Sequence, residues 1–297
     1  MVSRQAAAVV VETGWFTQKE SDMMRAKTAW RAGALVLVLL YAGLGGCAQV
    51  DVAALQQQAA AAADAGDWVT ALDLSEKCRD AAPENVTTLI LQGLALFENG
   101  RPDDAIEAFG AAATVSEAFL PQLFHGWALT RCGRFMDALT PLLEAYSMRH
   151  LHPEYRANVL VLLARCCLEQ KLQDGIGYLR ELRSIEGYAD APELYNALGL
   201  LWLYQGGIDG VEKTQNAKEN FRLALDRDPG NGIVLQNLAV LHDSYLDDPE
   251  EAMRYYRYSL KVNQELGNRI REGRIRDRLR AMTLARRRPP QEGGETR

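Results

Sequence analysis

The sequence predicts an all-α chain, a solenoid of about six helical hairpins closed by one further helix at its C-terminal end. Three observations predict it. A turn glycine recurs in Gly66-Asp67-Trp68, Gly100-Arg101-Pro102 and Gly133-Arg134-Phe135, at intervals of 34 and then 33 residues. An alanine, small enough to let two helices approach closely, follows five residues after each glycine, at Ala71, Ala105 and Ala138. Apolar residues then fall four and seven positions on, at Phe109 and Ala112 and at Leu142 and Ala145. That spacing is one buried face of a helix, and self-similarity at such a period marks a repeat architecture.

The first clear unit opens at Gly66, and Pro83 stops its second helix. Gly93, Gly126 and Gly199 mark a small-residue site in the first helices, seven residues before Gly100, Gly133 and Gly206. Ala217, Phe221, Ala224 and Pro229 supply the second helix after Gly206. About six residues more than the repeat needs lie between Gly206 and Ala217, so an insertion, Gly207 to Gln215, is expected to bulge from that turn. A further unit runs through Leu238, Ala239, Ala252 and Tyr256, with Asp248-Pro249 in its turn. A degenerate unit lies between Arg156 and Ile185; it has Leu163, Gly175, Leu179 and Leu182, but Gln170-Lys171 stands where the turn glycine belongs. The last hairpin needs a cap. Residues 266–288 supply it, with Ile270, Ile275, Leu279 and Met282 at near-helical spacing and solvated arginines between them. Pro289-Pro290 ends that helix, and 289–297 reads as a disordered tail.

The spacing and residue types over residues 52–265 resemble the tetratricopeptide repeat (TPR), and Leu198-Gly199-Leu200-Leu201-Trp202 carries the likeness most closely. The resemblance implies a right-handed superhelix whose first helices line a concave, ligand-binding face. The residues it turns inward are Ile90, Leu94 and Phe97, then Leu123, Phe124 and Trp127, then Leu200, Leu203 and Tyr204. An exposed apolar stripe of that size marks a partner site, suited to an amphipathic helix or an extended peptide. Packing between repeats accounts for any one of them equally well. Asn196 and Asn237 also take inward sites, where some such domains hold a peptide backbone or a terminal carboxylate. The matching basic clamp is missing here, and a solvated asparagine is the alternative.

Residues 1–46 read as a targeting segment. A basic stretch around Met23-Met24-Arg25-Ala26-Lys27 and Trp30-Arg31 precedes an apolar run from Ala32 to Gly46, the pattern of a secretory signal. Translation is expected to start at Met23 or Met24. The run is 15 residues, short for a membrane-crossing helix. Its end, Leu44-Gly45-Gly46-Cys47, resembles the lipobox of bacterial lipoproteins. The resemblance implies cleavage before Cys47, lipidation of that cysteine and a place in the cell envelope facing the periplasm. Ala48 next to it favours the outer membrane. The alternative is an uncleaved anchor over 32–50.

Net charge is −6, unevenly spread. Residues 269–297 hold ten basic and four acidic side chains, whereas 47–267 hold 18 basic and 32 acidic ones. So acidic a body argues against nucleic acid as a ligand. Cys78, Cys132, Cys166 and Cys167 sit in helical patterns and read as small buried residues, with a disulfide the alternative. The four histidines, His125, His150, His152 and His242, form no metal-ligand pattern, and no phosphate-binding, zinc-protease or nucleophile-elbow motif occurs. Acidic pairs such as Asp103-Asp104 and Glu250-Glu251 fall at second-helix starts, where they complement the helix dipole. The arginines of 269–288 suit anionic lipid, acidic protein or solvent. The expected function is a lipid-anchored protein–protein interaction scaffold for an envelope, pilus or secretion assembly, without a cofactor and not an enzyme. An adaptor regulating a cell-wall hydrolase is the other reading.

Overall fold

The structure, a computed structural model, describes residues 19, 51–148, 151–206, 210–267 and 269–287. Cys47, the apolar run before it, His150 and the tail from 288 lie outside the described residues. So do the side chains of Ile270, Arg286 and Arg287. From Asp51 onward the described residues form thirteen helices and no strand. They fall into two compact units divided at Gln170 and Lys171.

The first unit holds α1 (Val52–Ala65), α2 (Trp68–Ala81), α3 (Val86–Glu98), α4 (Pro102–Val115), α5 (Phe119–Arg131), α6 (Phe135–Ser147) and α7 (Pro153–Glu169). Consecutive helices pack as hairpins, and α1 touches α3, α3 touches α5 and α5 touches α7, so the first helices stack side by side. Gly66, Gly100 and Gly133 end α1, α3 and α5 in the left-handed conformation, with φ near 80, 76 and 75°. After each, the next residue's N–H reaches back to a carbonyl five residues earlier: Asp67 to Ala62, Arg101 to Leu96, Arg134 to Leu129. That closure satisfies carbonyls left free at a helix end. The repeated glycine is therefore a stop signal with a single geometry. Asp51, Asp67 and Asn85 then start helices by accepting from the N–H three residues on. Pro102 opens α4, where its missing N–H leaves nothing unpaired.

The second unit holds α8 (Gly175–Arg183), α9 (Pro192–Gly206), α10 (Val211–Arg227), α11 (Gly232–Ser244), α12 (Pro249–Glu265) and α13 (Arg269–Arg287). Its helices also pack as sequential neighbours. The insertion after Gly206 differs from the expected bulge. Residues 211–215 are helical and lengthen α10 to 17 residues. The reason is periodicity: Thr214, three residues before Ala217, continues the buried face and is itself buried. Gly210 precedes the helix, and 207–209 lie outside the described residues. In the degenerate unit, Lys171 takes the glycine's place at φ 56°, a left-handed residue without glycine's freedom.

The small-residue site is explained by contact. A Cβ at Gly93 would stand 2.5 Å from the ring of Phe109, one at Gly126 2.5 Å from Leu142, and one at Gly199 2.5 Å from Phe221. Each glycine lets the second helix of its own hairpin seat a large buried side chain directly against the first. At the C-terminal end, Ile275 and Met282 of α13 pack on Ala239, Val240, Ala252, Met253 and Tyr256. The expectation that the arginines of this helix are all solvated fails at Arg278. Its guanidinium grips Asp243 with two hydrogen bonds of 2.6 and 2.7 Å, because the Asp243 side chain is only 7% exposed and needs a counter-charge.

Candidate functional site

A cleft of about 650 Å³ opens on the first unit, where the N-terminal ends of α1, α3 and α5 come side by side. Val86, Ile90, Phe119 and Pro121 give it apolar walls. Gln56 and Asn85 give it a polar seam. The buried Gln56 Nε2 donates to Asn85 Oδ1 and to Thr88 Oγ1, both at 2.7 Å, while Asn85 Oδ1 also accepts from the Thr88 N–H to cap α3. The seam ties two successive hairpins at fixed spacing. The start of α5 has no such cap: Ala118 precedes it and no side chain closes it.

Of the residues expected on an exposed inward stripe, Ile90 alone lines this cleft. Ile90, Leu123, Phe124, Trp127, Leu200 and Leu203 are buried between helices, whereas Leu94, Phe97 and Tyr204 are half-buried. The stripe is thus corrected from surface to inter-helix packing at most of its positions. Phe97 sits 4.6 Å from Trp127, which meets Phe109 edge-on at 6.3 Å, and Phe109 stacks on Phe124 at 5.4 Å. This aromatic run bonds α3, α4 and α5 together. Trp127 Nε1 within it is buried and finds no hydrogen-bond acceptor.

Asn196 and Asn237 are not solvated either. Both are buried, and Asn237 Nδ2 donates to Asn196 Oδ1 at 3.0 Å, linking α9 to α11. The second unit carries further buried polar links of this kind. Ser259 Oγ donates to the Gly232 carbonyl at 2.7 Å, and Asn263 Nδ2 to the Ser259 carbonyl at 2.8 Å. None of these polar side chains stood out in the sequence except the two asparagines.

Two histidines are shifted by their surroundings. Burial lowers the pKa of His125 on α5, with Arg134 adding to the effect. Burial and Lys218 lower that of His242 on α11, outweighing its contact with the Asp248 carboxylate at 3.2 Å. His152 caps α7, its Nδ1 accepting from the Glu154 N–H at 3.4 Å. Cys78, Cys132, Cys166 and Cys167 are free thiols, and all but Cys132 are buried. Among the described residues no helix is long and apolar enough to cross a membrane, and no group of three or more His, Cys, Asp or Glu could hold a metal ion.

In each unit the described helices pack as sequential hairpins, three of them stopped by a left-handed glycine and three with a glycine under the second-helix anchor, and this defines a helical-repeat protein. The particular fold is that of the tetratricopeptide repeat, which solved structures share. PilF of Pseudomonas aeruginosa matches with a TM-score of 0.53 at 17% identity, covering 76% of this chain and 97% of that one. PilW, described as a widely conserved type IV pilus biogenesis factor, matches at 0.54 and 14%, over 75% of this chain and 97% of that one. YrrB, described as a TPR protein with an unusual peptide-binding site, matches at 0.51 and 14%, over 64% and 92%. No family model matches the sequence, and no curated protein does.

Proposed function

We propose that this chain is a protein–protein interaction scaffold, that its cleft across α1, α3 and α5 receives a segment of a partner protein, and that lipid on Cys47 holds it at a bacterial envelope membrane. The cleft carries the reading. Its volume, about 650 Å³, suits a few side chains of a peptide and not a folded domain. Apolar walls supply affinity and a fixed polar seam supplies register, the division of labour that peptide grooves use. The likeness to PilF and PilW supports an envelope or pilus assembly as the setting, and the peptide site of YrrB supports the kind of ligand. The acyl chains, each methylene contributing about 0.8 kcal/mol, give a tether that needs no crossing helix.

The test is photo-crosslinking in intact cells from a reactive residue placed at Phe119 or Thr87 in the cleft wall, against Met136 on an exposed face. One envelope protein captured from both cleft positions and not from Met136 supports the site. Adducts no different between cleft and control refute it. The tether is tested apart, by radioactive palmitate: Cys47→Ala abolishes labelling, and a labelled mutant overturns the anchor.

A further inference from the structure

The last helix carries a charged face that no helix of its own unit covers. Ile275 and Met282 turn one side of α13 into the core, and Arg278 is held by Asp243. On the opposite side Arg269, Arg276, Arg280 and Leu284 are exposed. Their offsets of 7, 11 and 15 residues from Arg269 place them on one stripe of the helix. Leu284, at 56% exposure, is an apolar residue in the open at the end of that stripe. Arg276 is tied only to Glu272 on its own helix, at 3.0 Å, and its side chain is 56% exposed.

The complement of this stripe is on α2. Val69, Asp73, Glu76 and Asp80 follow one another at offsets of 4, 7 and 11 residues and are all exposed. Val69, at 72%, is more open than Leu284. Asp73 is engaged only by Lys77 of the same helix, at 2.6 Å, with both side chains mostly in solvent.

We propose that α13 of one copy docks antiparallel on α2 of a second copy. With Leu284 set against Val69, Arg280 lies four residues back from the leucine and Asp73 four residues on from the valine, each about 6 Å along its axis. Arg276 and Glu76 follow at about 12 and 10 Å, and Arg269, at about 22 Å, reaches back one turn to Asp80 at about 16 Å. A parallel pairing would also match Arg276 with Glu76 and Arg280 with Asp80, but it sets Arg269 on Val69 and carries Leu284 past the end of α2 at Ala81, so it is the apolar pair that selects the antiparallel sense. Two copies of α13 repel each other, as do two copies of α2. The contact therefore joins unlike surfaces, and a heterologous contact of this kind extends beyond a dimer into rings or chains. Two helices along such a stripe bury less than the roughly 1,000 Å² of a stable interface, so the association is weak and sensitive to salt.

Sedimentation equilibrium of the full chain in mild detergent tests this. The wild type is expected to associate with rising concentration at low salt and to dissociate in about 0.5 M salt. R276E/R280E and D73R/E76R should each raise the dissociation constant about tenfold or more. A mixture of the two variants should recover association, because each then meets the opposite sign on the other. A monomeric wild type, association indifferent to salt, or variants that assemble like the wild type overturns the proposal. So does a monomeric wild type that binds anionic vesicles and loses them in R276E/R280E, which assigns the stripe to lipid.

Discussion

Gly93→Ala isolates the contact that builds each hairpin. In α3 the new methyl carbon would stand 2.5, 2.7 and 2.8 Å from three ring carbons of Phe109, where about 3.5 Å is the nearest comfortable approach. The ring cannot slide away cheaply, since it is fully buried, stacked on Phe124 and met edge-on by Trp127. Overpacking of this sort costs about 1–3 kcal/mol. Alanine's better helix propensity returns about 1 kcal/mol. Gly110→Ala in α4 gains the same propensity against a neighbour no nearer than 3.4 Å, the His125 ring. The two substitutions should differ by the overpacking term, about 1–3 kcal/mol, with Gly110→Ala near neutral or stabilising and Gly93→Ala destabilising. Phe109→Ala supplies the cycle. Alone it costs about 3–5 kcal/mol, and in the Gly93→Ala background it should cost less by the relieved clash. Urea unfolding followed by circular dichroism reads the wild type and all four variants. Equal midpoints for the two glycine variants, or additive effects in the cycle, would refute the argument.

Three further outcomes follow from the same contacts. Arg278→Ala leaves the buried Asp243 carboxylate with only the Tyr256 hydroxyl at 3.4 Å and no counter-charge, and should cost about 2 kcal/mol, read as faster tryptic cleavage within α13; an unchanged digestion rate contradicts it. Asn237→Ala should destabilise by about 2 kcal/mol by leaving the buried Asn196 amide oxygen without its donor, whereas replacing both by leucine should restore most of that in urea unfolding. His125 and His242 have folded-state pKa values below the ordinary 6.5, so the unfolded chain takes up protons first. Their contribution is intact above that value and declines as pH falls below it through the folded-state pKa values, so the urea midpoint should drop from pH 7.5 to about 5.5 by less in His242→Gln; a flat wild-type profile counts against it.

The periodic part of the fold was legible because each signal had one physical cause. Gly66, Gly100 and Gly133 are where a chain must turn left-handed, and Gly93, Gly126 and Gly199 are where a large side chain leaves no room for a Cβ. The signals failed where another residue did the same work. Lys171 adopts the left-handed turn without being glycine, so its unit read as degenerate. The residues after Gly206 read as loop because the spacing broke, although Thr214 kept the buried face of α10 going. Arg278 read as solvated because its partner, Asp243, lies 35 residues earlier in sequence.

The binding face was less legible for a reason built into stacked hairpins. A first helix such as α11 packs on the second helices before and after it and is tied through Asn237 to the first helix before it, so nearly all of its sides are enclosed. Ten of the thirteen residues of α11 are buried, against three of the fourteen of α2. An apolar residue on a first helix therefore says little about whether it meets solvent or a neighbour. Leu123, Leu200 and Leu203 satisfy the pattern of an inward stripe and are fully enclosed. What distinguishes an open position is its place along the helix. Near the N-terminal ends, where α1, α3 and α5 splay into the cleft, Val86 and Phe119 meet space, whereas Leu123, one turn farther on, meets the core. A partner that reads this scaffold through the cleft would thus read the ends of its first helices, and substitutions there should change binding while leaving the hairpin core that sets stability untouched.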